Sequence, residues 1–306
     1  MTNSKQTLDA TTIQHQVERD YRWNFLVNVL DGASFWFGIS FISGTIILPL
    51  YVSHFTSNPL LIGLIPFLNT AGHLLPQLFV ANAVERAPKK KFFPVTIGFF
   101  LERVPIFLLA PTAYFLATGR PALALTVFFV LFAWHKFGAG VIIVGWQDMI
   151  AKIIPLEKRG RFFGITNFLG NGAGVLGALA VPFVLNRFAF PLGYVISFGI
   201  AAVLIFISWI FLSLAREPAV HSSKPPVSQM DYLRSLPQIL RRDRNFRLYL
   251  LAQIVYTFSG MATGFLTVYA VQTWALPDAQ ASGFTIALQV GLALANLFFG
   301  FFSDRK

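Results

Sequence analysis

Eight stretches of the chain stay apolar for about 20 residues or more, the length a helix needs to cross a hydrocarbon core of roughly 30 Å. They lie near 25–52, 60–82, 92–116, 121–150, 162–186, 190–214, 248–273 and 281–302. Backbone polar groups cannot stay unpaired in lipid, and these runs are far too long for barrel strands, so each is expected to be helical. The pattern predicts an all-α, polytopic transmembrane bundle. The longest polar interval, 216–247, is the expected boundary between a six-helix bundle over 25–215 and two further helices within 248–306; residues 1–24 form a cytoplasmic segment. Within that interval Lys224-Pro225-Pro226 cannot be regular helix. Tyr232, Leu236, Ile239 and Leu240, with Arg234, Arg241 and Arg242 between them, fit either a short helix on the inner membrane surface or a flexible linker.

Composition agrees with a membrane protein. Of 306 residues, 55% are hydrophobic and 12% charged, with a mean hydropathy of +0.63, where soluble proteins are about 25% charged. Cysteine is absent, so no disulfide framework or thiolate ligand set exists. The net charge of +11 would suggest nucleic acid in a soluble protein, but the basic residues sit between apolar spans and read as topology signals, with no nucleic-acid partner expected. With the N-terminus placed inside, 20 of the 24 Lys and Arg fall in inside segments and only Arg120 and Arg187 in outside loops. Both termini are therefore expected to face the cytoplasm, in the plasma (inner) membrane. No cleavable leader is apparent, since the first twenty residues are polar.

The stretch Trp146–Gly164, WQDMIAKIIPLEKRGRFFG, holds Asp148, then Pro155, then Glu157, Lys158, Arg159, Gly160 and Arg161 as a short basic turn between two spans. It resembles the loop between helices four and five of the major facilitator superfamily. A second resemblance is an internal echo after the second span of each half. Span 8 ends in Gly300, Asp304, Arg305 and Lys306, similar to the superfamily's loop of glycine, Asp-Arg and a basic tail. Span 2 ends in Ala81, Glu85, Arg86, Ala87 and Pro88, departing at the glycine, the Asp and a later glycine. The resemblance implies a secondary transporter that moves a small solute by alternating access, with no enzymatic reaction and no cofactor. It also implies cytoplasmic gate motifs at these positions and twelve spans, so the chain is expected to be truncated, the alternative being that another chain supplies the missing spans. The alternative is a membrane protein without transport activity, an interaction partner or inactive fragment.

Polar groups inside spans are costly and mark functional candidates. Asn24, Asn28 and Asp31 share one face of span 1, with Asp31 about 9 Å into the membrane. It could bind a cation, a proton or a basic partner, or anchor the helix. Asn69, His73 and Gln77 share one face of span 2, where a titrating site and helix-to-helix hydrogen bonds both fit. Glu102 and Arg103 in span 3 and His135 and Lys136 in span 4 lie at comparable depth. They read as a coupling or binding network or as a structural cluster, with Glu102 and Asp31 the candidate partners of Lys136. The resemblance favours Asp31 and Lys136 as cavity residues, because the family's first and fourth helices line the central cavity. Gly170 and Gly174 in span 5 suggest close helix packing. Gln253, Thr257, Gly260 and Gly264 in span 7 and Gln289 and Asn296 in span 8 could line the other wall. His73 and His135 lack a third well-spaced ligand, so no metal site is expected.

Overall fold

The computed structural model describes residues 10–220, 229–260, 262–277 and, beyond those, 280, 284, 286–288, 290 and 291. Among the described residues ten helices can be followed: α1 (Ala10–Ser40), α2 (Ile47–Ser53), α3 (Pro59–Arg86), α4 (Phe93–Leu116), α5 (Pro121–Ile153), α6 (Leu156–Arg187), α7 (Leu192–Ser213), α8 (Gln229–Arg242), α9 (Arg244–Gly260) and α10 (Ala262–Trp274). No strand occurs among the described residues. Among the described residues five helices, α3 to α7, are long and apolar enough to cross a membrane. The expected first span is split between α1 and α2 at the polar Ser43-Gly44-Thr45 corner. There Ser43 Oγ and Thr45 Oγ1 lie 3.1 Å apart and offer local hydrogen bonds that compete with helix continuation. The expected seventh span falls on α9 and α10. Most of the eighth lies outside the described residues, as do Gln289, Asn296, Gly300, Asp304 and Arg305.

Local chemistry explains the boundaries. Asn58 caps α3, its Oδ1 accepting from the Leu60 N–H at 2.9 Å, and Pro59 takes the first helical position, where a missing donor costs nothing. Between α5 and α6 the sequence pattern suggested a basic turn over Lys158–Arg161. The chain instead turns at Ile154-Pro155, and Lys158 to Arg161 belong to α6. Proline forces the residue before it out of the helical region and then starts the next helix, so two residues suffice for the connection.

Helix α4 opens with two π-wound segments, Phe93–Ile97 and Phe99–Arg103. Pro105 removes the N–H that the Leu101 carbonyl would accept in an α-helix, and the wider winding continues to the residue before Val104. Helix α5 approaches this carbonyl closely: a methyl group on Gly138 would stand 2.0 Å from Leu101 O. Gly138→Ala is expected to destabilise the bundle by about 1–3 kcal/mol through overpacking against backbone. Gly172→Ala, where the added methyl meets nothing within 4 Å, should be neutral or stabilising by up to about 1 kcal/mol. Thermal unfolding in detergent compares the two, and a Gly138→Ala protein as stable as the parent would remove the close-packing account.

In the bundle α1 packs on α6 and α7, α3 on α5, and α4 on α5 and α7. The α1–α6 seam is tight because α6 presents small residues. Gly170 faces Trp36 and Gly177 faces Ser40, and Gly174 is buried on the same helix, as the close-packing expectation for this span required. At the α2 end of the bundle, Tyr51 is enclosed by Phe55, Phe128, Phe190, Tyr194 and Phe198, with ring centroids 5.0–6.3 Å away. At the opposite end Val27, Met149, Ile150, Ile153, Phe162 and Leu212 form a second apolar cluster beneath the polar surface.

Candidate functional site

Two polar centres stand out, one inside the bundle and one at the end that carries the basic loops. The inner centre is built by α1, α4, α5 and α7. Asp31 is buried, and its Oδ1 accepts from Ser208 Oγ of α7 at 2.6 Å. One turn earlier Asn28 Nδ2 donates to the Asn24 carbonyl at 2.7 Å, while Asn28 Oδ1 has no partner. On α4 the buried Glu102 and Arg103 form an ion pair through Arg103 Nη1 and Glu102 Oε2, and Arg103 Nε is left unpartnered. His135 Nδ1 lies 2.9 Å from the Glu102 carbonyl, so that nitrogen carries the proton and donates. Asp31 stands within electrostatic reach of Arg103 and Glu102, and Lys136 within reach of Glu102. Lys136 itself is half-buried, its ammonium 5.5 Å from the centre of the Phe132 ring. His73 is half-buried on α3, its carbonyl accepting from Gln77 Nε2 at 2.8 Å. Gln253 is half-buried on α9.

The structure thus brings Asp31, Glu102, Arg103, His135 and Lys136 into one electrostatic neighbourhood but pairs them differently from expectation. Glu102 pairs with its sequence neighbour Arg103, and Asp31 with Ser208. Among the described residues Lys136 makes no ion pair within 4.0 Å.

The second centre is organised by Glu217, just beyond α7, whose carboxylate is fully buried. Its Oε1 accepts from the Lys90 N–H at 2.9 Å and from Lys152 Nζ at 2.8 Å, and its Oε2 from the Lys91 N–H at 2.8 Å. Lys152 also donates to the Pro88 carbonyl at 2.8 Å, which accepts the Val220 N–H at 3.0 Å as well. Lys91 Nζ donates to the Ser213 and Ala215 carbonyls, placing a cation at the negative end of α7. On the other side Asn24 and Arg216 exchange two hydrogen bonds of 2.7 and 2.8 Å, and Arg216 Nη1 reaches Asp20 Oδ1 at 3.2 Å. The 88–91 loop, the ends of α5 and α7, and the polar part of α1 are thereby tied together. The hydrogen bond from Arg19, seconded by Arg216, holds the Asp20 carboxyl below the usual carboxylate range. Burial pushes the Lys90 and Lys91 ammonium groups down, and the neighbouring Lys89 adds to the shift of Lys91.

Of the gate motif residues, Arg159 folds back so that Nε donates to the Ile154 carbonyl at 3.1 Å and Nη2 to that of Ala151, capping α5. Asp148, Glu157, Gly160 and Arg161 are exposed, and so are Glu85 and Arg86. The Glu85 carbonyl accepts from Lys90 Nζ at 2.8 Å. Sequence reasoning did not single out Glu217 or Ser208. The available signal for Glu217 was an acid directly after an apolar span, at the start of a mainly basic segment.

Among the described residues, an all-helical bundle with apolar outer faces and ionisable groups buried between its helices defines an integral membrane protein. The sequence matches the Major Facilitator Superfamily over residues 30–306, and the chain belongs to that family, whose members are transporters and not enzymes. No curated protein matches the chain.

Proposed function

We propose that the chain is a secondary active transporter that carries a small solute by alternating access, coupled to a proton or another cation. The observation that supports this reading best is the cluster of Asp31, Glu102, Arg103, His135 and Lys136 inside the bundle, because ionisable groups are kept in a membrane interior when a pathway uses them. In this reading Lys136, His73 and Gln253 face the solute, and Asp31, with Asn28 and the Glu102–Arg103 pair behind it, carries the coupling step. The Glu217 network, with Arg159 and the loop that starts at Glu85 and Arg86, closes the cytoplasmic side. Eight spans with both termini in the cytoplasm of a plasma-membrane protein follow from the 20-to-2 division of basic residues. Helix α8, with Arg234, Arg241 and Arg242 exposed, lies along the inner surface.

Topology is tested with single cysteines at Thr118 and Lys306 and an impermeant thiol reagent. Labelling of Thr118→Cys alone in intact cells is expected, and labelling of Lys306→Cys there would overturn the orientation. For transport, vesicles carrying the gene product are screened for solute uptake under an imposed proton or sodium gradient. Asp31→Asn is expected to lower gradient-driven flux at least about 100-fold while leaving the fold intact. Flux indifferent to every gradient and to Asp31 would remove the secondary-transport reading.

A further inference from the structure

We propose that the side of α5 at Lys136 binds a small solute bearing a carboxylate or phosphate group, so that the transported species is an anion; this rests on the transporter reading above. Lys136 is the sixteenth of the 33 residues of α5, which places it near the middle of the bilayer. A cation there needs a counter-charge, and the two carboxylates buried inside the bundle, Asp31 and Glu102, already have other partners. Glu102 is held by Arg103, and Asp31 accepts from Ser208. The remaining described contact of the ammonium is the face of Phe132, which stabilises a cation without neutralising it.

Position makes this charge reachable. The exposed residues Val130, Trp134 and Phe137 mark one arc of α5, the arc expected to meet lipid. Lys136 lies off that arc on the side of α3, where a methyl group on Gly72 would stand 2.7 Å from Lys136 Cβ. On α3, Asn69 and His73 are one turn apart and both half-buried. A methyl group on Gly44 would stand 3.8 Å from Asn69 Oδ1 and 4.0 Å from Phe132 Cζ, so the amide and the ring both border the α1–α2 corner. An ammonium, an amide and an imidazole, each able to donate, therefore gather along the α3–α5 seam. That donor set fits an oxyanion. A neutral solute would bring no counter-charge to the ammonium, and a cationic one would be repelled by it.

The test reads binding directly, through the unfolding midpoint of the purified chain in detergent at matched ionic strength. Lactate, succinate, inorganic phosphate and glycerol phosphate are compared with glycerol and choline, and the first four separate carboxylate from phosphate. At least one anion is expected to raise the midpoint saturably. Lys136→Gln should weaken its apparent affinity at least about tenfold, whereas Lys136→Arg, which keeps the charge, should weaken it less. Should Lys136→Gln fail to fold, Asn69→Ala and His73→Gln read the same seam, each weakening the same anion. The proposal is overturned if no anion shifts the midpoint, or if the shift survives in all these variants. Stabilisation by choline or glycerol through Lys136 overturns the anionic class and leaves transport standing. Lys136-dependent anion binding without flux in vesicles supports the site and removes the transporter reading.

Discussion

Glu217→Ala is expected to destabilise the protein by about 3 kcal/mol or more, one of the largest effects of a single substitution outside the apolar core. The carboxylate is fully buried and accepts three hydrogen bonds, two from backbone N–H groups and one from an ammonium. Removing it takes the side-chain acceptor from both backbone N–H groups and leaves Lys152 only the Pro88 carbonyl. Breaking a buried ion pair by deleting one partner costs about 3–5 kcal/mol. Lys152→Ala should cost less, about 1–2 kcal/mol, because Lys152 is partly exposed and Glu217 keeps its two backbone donors. The double variant should lose less than the sum of the two, since the pair then disappears together. Thermal unfolding gives the energies, and hydrogen exchange at the Lys90 and Lys91 amides reports the loop directly. Unchanged protection of those amides in Glu217→Ala would show that the loop does not depend on the carboxylate.

How much of this was legible in the sequence depended on the range of the physics involved. Span length and apolarity are local, so the helices from Pro59 to Ser213 were expected nearly where they stand. The break between α1 and α2 was missed because the few polar residues at Ser43–Thr45 hardly change the hydropathy of a 28-residue window. Pro155 was visible, yet the basic residues after it were read as a turn, although a proline serves equally well as the start of a helix. The membrane acids and bases were identifiable one by one, since each is costly in lipid whatever its partner. Their pairing was not: Glu102 and Asp31 are the partners the sequence suggests for Lys136, and adjacent residues on an α-helix point about 100° apart, so a Glu102–Arg103 pair has no local signature. The π-winding before Pro105 changes that geometry. The Glu217 network joins residues more than a hundred positions apart, and no local pattern announces it.

Arg103→Ala is expected to have an equal or larger effect, because it strands the Glu102 carboxylate inside the bundle. The two side chains are 3% and 5% exposed, so solvent cannot take over the charge. The expected loss is about 3–5 kcal/mol. Glu102→Gln alone should cost less, since the amide still accepts from the guanidinium. The informative variant replaces both, with Glu102→Leu and Arg103→Met. An apolar pair of similar volume can be neutral or even stabilising where a buried ion pair was, by about 1–4 kcal/mol. Stability should therefore return in the double variant. Its transport should not, if the pair tunes Asp31, which lies within electrostatic reach of both charges. The expected result is a protein that unfolds at or above the parental temperature and carries solute at least about tenfold more slowly. Recovery of both stability and flux would mean that the pair only fills space beside α5. Failure of the double variant to recover stability would place the requirement in the His135 hydrogen bond to the Glu102 carbonyl and the close approach of Gly138 to Leu101, which depend on the winding of α4 and not on its charges.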